Sequence, residues 1–320
     1  MDTETGDEMA HGGKVVFCFP GQGSLEEGMG REIAEAVPAA MEVFERGSEA
    51  CGLDLRKLCF SSPLEEIVDT SIQQPALLAT CLATLAALEA RGLRPDVVVG
   101  HSVGEFAALA AAGAIEVEDA IALVRERGLA MAEAAKAHPG SMAAILGLED
   151  EVVELLCRKI LGVWPANYNC PGQVVVSGEN DAVDECCSEA QARGARRTVR
   201  LPISGAFHSP LVARAADRLR PAIDRVRFHD LQVPFMSTVT ARIEDGQKLA
   251  SLLVDQLTAP VRYTQATREL IRNGVRTFVE VGPGNVLSGL VKRIDKSVET
   301  ISVNSLASLA RAEEVVSSAH

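Results

Sequence analysis

Asp96-Val-Val-Val-Gly100-His101-Ser102-Val103-Gly104-Glu105 is the stretch that decides the fold. Three successive valines form a short run with no polar face, the pattern of a strand buried on both sides in a parallel sheet. The Ala-rich segment that follows, Glu105 to Ala112, reads as a helix. Between them lies G-x-S-x-G, whose glycines permit a tight turn. That turn exposes the Ser102 hydroxyl at the C-terminal end of a strand and the N-terminus of a helix. The bare pattern recurs by chance, but in a strand-turn-helix setting it marks Ser102 as a candidate nucleophile.

Working outward, Lys14 to Phe19 (KVVFCF) reads as another buried strand, closed by Pro20-Gly21-Gln22-Gly23. Helical periodicity covers Pro75 to Ala90 and Glu118 to Ala137, so strands and helices alternate, as they do in a parallel sheet covered by helices. After His138-Pro139-Gly140 the order changes to strand (141–146), helix (150–160), strand (165–169), strand (173–177), helix (182–193) and strand (197–202). This βαββαβ order is ferredoxin-like. From Gly205 the first pattern resumes, with helices at 210–226, 261–273 and 285–294 and strands at 233–237 and 277–281. The expected organisation is an α/β chain with a discontinuous large domain (14–137 and 205–305) and an inserted small ferredoxin-like domain (138–204). Residues 1–13 and 306–320 read as tails.

Composition narrows the function classes. The chain has 320 residues, 47% hydrophobic and 23% charged, which excludes disordered and low-complexity chains. A net charge of −13 argues against a general binder of nucleic acid or anionic membrane. The eight cysteines form neither a CxxC pair nor a His-spaced zinc pattern, so no metal is expected and most read as small buried hydrophobes. The start of the chain lacks the basic flank and apolar core of a signal peptide, and the run Pro75 to Leu88 is short for a bilayer about 30 Å thick. The expected location is the cytoplasm, or an organelle stroma if a transit peptide has been removed.

A serine hydroxyl needs a base within hydrogen-bond reach. Of six histidines, His11 and His320 lie in the presumed tails, His138 and His229 flank loops, and His101 adjoins Ser102 on a turn that exposes the serine. His208, in Gly205-Ala-Phe-His208-Ser-Pro210, remains as the candidate base. Arg127 interrupts the apolar stripe Leu123, Val124, Met131, Ala134 of its helix. On periodicity alone it snorkels, pairs with a protein carboxylate, or awaits the carboxylate of a ligand. Gln22 reads equally as a simple turn residue and as a residue whose backbone amide faces a substrate. Glu280-Val-Gly-Pro-Gly284-Asn285 could seat a phosphate at a helix N-terminus, but without a P-loop lysine a structural turn is the better reading.

These motifs together resemble the malonyl-CoA:acyl carrier protein transacylases and the related acyltransferase domains of fatty acid and polyketide synthases. The resemblance rests on FPGQGS near the start, QPALL at 74–78, GHSVGE at 100–105, RG at 127–128, NCPGQVVVSG at 169–178, GAFHSPL at 205–211, QLTAPV at 256–261 and EVGPGNVL at 280–287, in the family's order. It implies an α/β-hydrolase-like large domain with the small domain inserted. It also implies Ser102 as the acylated nucleophile, His208 as its base, and the backbone amides of Gln22 and Val103 as an oxyanion hole. Arg127 would bind the malonyl carboxylate, the Gln256 carbonyl would orient His208, and Phe207 would crowd an α-methyl branch. The implied substrates are malonyl-CoA and an acyl carrier protein, with no cofactor of the enzyme's own, and a monomer is expected. The rival readings are a serine hydrolase or thioesterase, a trans-acting polyketide acyltransferase using another acyl-CoA, and a non-catalytic binding module.

The charge is unevenly spread: residues 1–190 carry −20 and residues 191–320 carry +7. Nine arginines fall between Arg193 and Arg227. Such a run reads as a solvated helix face, or as a surface that steers an acidic carrier protein, with Arg193, Arg196 and Arg218 as docking candidates.

Overall fold

The computed structural model describes residues 13–203 and 205–319. Ten strands are present among them: β1 (Lys14–Phe19), β2 (Val97–Gly100), β3 (Ser141–Leu146), β4 (Val163–Cys170), β5 (Gln173–Gly178), β6 (Arg197–Arg200), β7 (Phe235–Ser237), β8 (Arg242–Glu244), β9 (Val275–Val281) and β10 (Glu299–Val303). Along β1, Val15, Phe17 and Phe19 enter one apolar core while Val16 and Cys18 enter another on the opposite face. Alternate side chains of a strand point to opposite faces, so a run apolar at every position must be covered twice. β1 is accordingly central in a six-stranded sheet of order β10-β9-β1-β2-β7-β8. It pairs in parallel with β2 and β9, and only the edge pair β7–β8 is antiparallel.

The second sheet has the order β4-β5-β3-β6, antiparallel throughout, with the helices Asp150–Lys159 and Asn180–Ala192 packed on its own core. This is the ferredoxin-like arrangement that the element order predicts. The helix Thr70–Ala90 has the length and apolarity of a membrane span, longer than the run visible by eye, yet 78% of its most apolar window is buried within the protein. It is apolar all round because it is enclosed all round.

One expectation needs correction. Residues Leu306–Ala319 form a helix, not a tail, and bury Leu309, Ala312 and Val316. The antiparallel edge strand β8 and the short helices between Arg31 and Ile67 also escape the sequence reading, being only three to six residues long apart from Pro38–Cys51. The tail read at 1–13 lies, but for Gly13, outside the described residues.

Candidate active site

The turn after β2 is held by contact that only glycine allows. A Cβ on Gly104 would lie 2.1 Å from the Phe19 carbonyl oxygen, and one on Gly100 would lie 2.1 Å from the Gly104 carbonyl carbon. The helix Gly104–Ala111 therefore abuts the ends of β1 and β2, and Ser102 is forced into the left-handed region at φ 54°. His208 sits at φ 58° on the loop entering the helix Ala213–Ile223. Both candidate residues thus sit on strained backbone, held there by the surrounding structure.

Ser102 Oγ lies 2.8 Å from His208 Nε2. On the other side of the ring, Nδ1 faces two carbonyl oxygens, Gln256 at 2.8 Å and Ala259 at 3.1 Å. Two acceptors there require the proton to be on Nδ1, which leaves Nε2 free to accept the serine proton. Burial, aided by the Arg127 charge, pushes the His208 pKa down to about 3, so the imidazole is neutral at neutral pH, with its Nε2 lone pair unprotonated and facing Ser102. Among the described residues, the ring's hydrogen-bond partners are a hydroxyl and two main-chain carbonyls, with no carboxylate.

Arg127 is fully buried. It resolves the choice that periodicity leaves open, for it neither snorkels nor pairs directly with an acid. Nη1 donates to Gln74 Oε1 at 2.7 Å; Nη2 donates to Gln256 Oε1 at 3.0 Å and reaches Ser102 Oγ at 3.2 Å. Nε has no hydrogen-bond partner. Burial lowers the guanidinium pKa to about 9, which still leaves it cationic at neutral pH. A buried cation whose direct partners are two neutral amides and the nucleophile's own hydroxyl is poised to pair with the anion of a bound ligand.

A cavity of about 110 Å³ opens above Ser102, walled by Gln22, Phe207 and His208 on one side and by Met142, Asn167, Asn169 and Val175 of the small domain on the other. Gln22, Leu201 and Ile203 continue into a wider groove of about 640 Å³ that also contains Gln73, Asp69 and Lys136. Val103 opens the Gly104–Ala111 helix directly after Ser102, and Gln22 follows β1. The structure thus gathers Gln22, Ser102, Val103, Arg127, Phe207, His208 and Gln256. It leaves Arg193, Arg196 and Arg218 on the exterior, where Arg193 faces Glu189 and Arg218 pairs with Glu133.

Sequence reasoning missed Gln74, Asn167, Asn169 and Glu105. Gln74 immediately precedes the long apolar stretch of its helix, and Glu105 opens the Ala-rich one, so a polar side chain at the edge of an apolar run was the available signal. Both are completely buried. Glu280 accounts for the EVGPGN turn: its carboxylate accepts the Leu287 and Ser288 amides at 2.9 and 2.8 Å, filling the helix N-terminus that a phosphate would need.

Comparison with known proteins places the chain in a family. The acyl transferase domain family model matches residues 16–316. A malonyl CoA-acyl carrier protein transacylase of Bacillus subtilis is 42% identical over 296 residues, covering 91% of this chain and 93% of the relative. The crystal structure of the malonyl-CoA:acyl carrier protein transacylase of Xanthomonas oryzae superposes with a TM-score of 0.91 at 41% identity, over 94% of this chain and 98% of the other. A malonyl-transacylase solved in complex with a type II polyketide acyl carrier protein superposes with a TM-score of 0.91 at 38% identity, over 94% and 99%. Matched by the family model from residue 16 to 316 and by relatives about two-fifths identical over nearly the full length of both chains, the chain belongs to the malonyl-CoA:acyl carrier protein transacylase family.

Proposed function

We propose that this protein transfers the malonyl group from malonyl-CoA to the phosphopantetheine thiol of an acyl carrier protein, through an ester on Ser102. The observation that carries the reading is the approach of the buried Arg127 guanidinium to within 3.2 Å of a serine that is itself 2.8 Å from a neutral histidine. A nucleophile needs a base; a cation beside it is required only if the acyl group is an anion.

In the first half-reaction Ser102 Oγ attacks the thioester carbonyl and His208 Nε2 takes its proton. The Gln22 and Val103 amides stabilise the tetrahedral oxyanion, and coenzyme A leaves as its thiol with that proton. In the second half-reaction the carrier thiol attacks the Ser102 ester, His208 again moves the proton, and the malonyl thioester departs. The Gln256 and Ala259 carbonyls hold the ring and stabilise the imidazolium, in the place an aspartate takes in a triad. Arg127 pairs with the malonyl carboxylate and fixes the ester's orientation. The groove continuous with the cavity through Gln22, Leu201 and Ile203 accommodates the thiol-bearing arm. Phe207, buried beside His208, narrows the space for an α-methyl branch. Arg193, Arg196 and Arg218 form a basic approach for the carrier, and the reaction is assigned to the cytoplasm.

Intact-protein mass after brief exposure to malonyl-CoA tests the reading. We expect a malonyl adduct on the wild type, none on Ser102→Ala, and a much slower adduct with methylmalonyl-CoA. An adduct that persists on Ser102→Ala would overturn the mechanism, and equal rates for the two thioesters would remove Phe207 from selectivity.

A further inference from the structure

Glu105 is a completely buried acid that no step above uses; burial pushes its pKa up to about 7, while the Thr238 and Ser237 donors and the Arg127 charge favour the carboxylate. It lies three residues after Ser102, on the first turn of the Gly104–Ala111 helix. Its Oε1 accepts from the Thr238 amide at 2.6 Å, the Thr238 hydroxyl at 2.9 Å and the Ser237 hydroxyl at 3.3 Å. Its Oε2 accepts from Gln256 Nε2 at 3.0 Å. The other end of that amide, Gln256 Oε1, accepts from Arg127 Nη2, which in turn reaches Ser102 Oγ.

The chain has a definite polarity. A guanidinium only donates and a carboxylate only accepts, so the Gln256 amide between them has one permitted orientation. We propose that Glu105 is a positioning residue for acyl-group selection: by accepting the Gln256 NH2 it turns the amide oxygen toward Arg127 and holds the guanidinium on the nucleophile. The proposal rests on the malonyl-transfer reading and extends it to a residue that touches no substrate.

A carboxylate is required because both of its ends must accept. Glutamine at position 105 could still receive the Thr238 and Ser237 donors on its oxygen, but its NH2 would then face the NH2 of Gln256. Relief of that clash flips Gln256 and sets its NH2 against Nη2 of Arg127, two donors opposed. Gln74 would then be the one amide still anchoring Arg127. A purely structural Glu105, tying the helix to the end of β7, would on removal slow every acyl group alike. The positioning role acts through Arg127 and weighs on the carboxylated acyl group alone.

The test compares second-order rates of Ser102 acylation by malonyl-CoA and by acetyl-CoA, followed by intact mass, in the wild type, Glu105→Gln, Gln256→Met and the double variant. Gln256→Met removes the relaying amide and keeps the main-chain carbonyl that holds His208. In each single variant the malonyl-to-acetyl ratio should fall at least about 10-fold, the effect of losing one hydrogen bond to a charged group. The double variant should fall no further than Glu105→Gln, because both changes break the same chain. A ratio unchanged in either single variant, or losses that multiply in the double, would overturn the proposal. If Glu105→Gln does not fold, the ratio in Gln256→Met decides alone. A wild type that acquires no malonyl adduct overturns the transfer reading itself, a result separate from any change in ratio.

Discussion

At the scale of single residues, the dyad works because burial and hydrogen bonding act on His208 in opposite directions. Desolvation is the largest influence and favours the neutral ring, the Arg127 charge adds to it, and the two carbonyls on Nδ1 partly offset both. A base depressed this far stays unprotonated through the whole physiological range. The labelling rate of Ser102 by a small organofluorophosphonate, which bypasses the carboxylate site, should therefore be flat from about pH 5 to 8. An acid limb centred near 6.5, the ordinary imidazole value, would show that His208 is not so desolvated. Ser102 and His208 were legible from sequence because their chemistry is scarce: one nucleophile turn, and few histidines within ordered segments. Gln74 and Glu105 were not, because a buried polar residue is meaningful only once its partners, here far away in the chain, are in place.

At the scale of elements, what matters is the fit of one helix against two strand ends. The Gly104–Ala111 helix approaches Phe19 so closely that a methyl group at position 104 has nowhere to go. Gly104→Ala should cost about 3 kcal/mol or more, read by urea denaturation, since relief requires moving main chain rather than a side chain. Near-normal stability would mean that the helix is free to slide. The VVV run and the Ala-rich stretch announced this element pair clearly, because buried parallel strands and enclosed helices are both apolar throughout. β8 did not announce itself: a three-residue edge strand, with Arg242 and Ile243 exposed, lacks the apolar alternation that marks longer ones.

At the scale of the whole molecule, the C-terminal helix completes the large core. Leu309 is fully buried, so Leu309→Ala should lower stability by about 2–5 kcal/mol in the same denaturation experiment, whereas in a tail it would change nothing. The charge distribution belongs to this scale too. Arg193 and Arg218 already face Glu189 and Glu133, but exposed pairs of this kind are held by about 1 kcal/mol or less and open readily to a more acidic partner. Charge reversal at Arg193, Arg196 or Arg218 should raise the KM for an acidic carrier protein and leave malonylation of Ser102 unchanged. Insensitivity of transfer to both charge reversal and salt would place docking elsewhere. The inserted domain was visible in the order of its elements, whereas its contribution to the cavity wall, through Met142, Asn167, Asn169 and Val175, depends on how two sheets meet.

The carbonyls that orient His208 carry a final consequence. An orienting aspartate can be deleted, titrated or swapped for asparagine, and each change is one codon away. The oxygens of Gln256 and Ala259 belong to the main chain and survive almost every substitution at those positions. The part of the site that fixes the tautomer of the base is thus hidden from alanine scanning, indifferent to pH, and conserved by the polypeptide backbone whatever side chains evolve upon it.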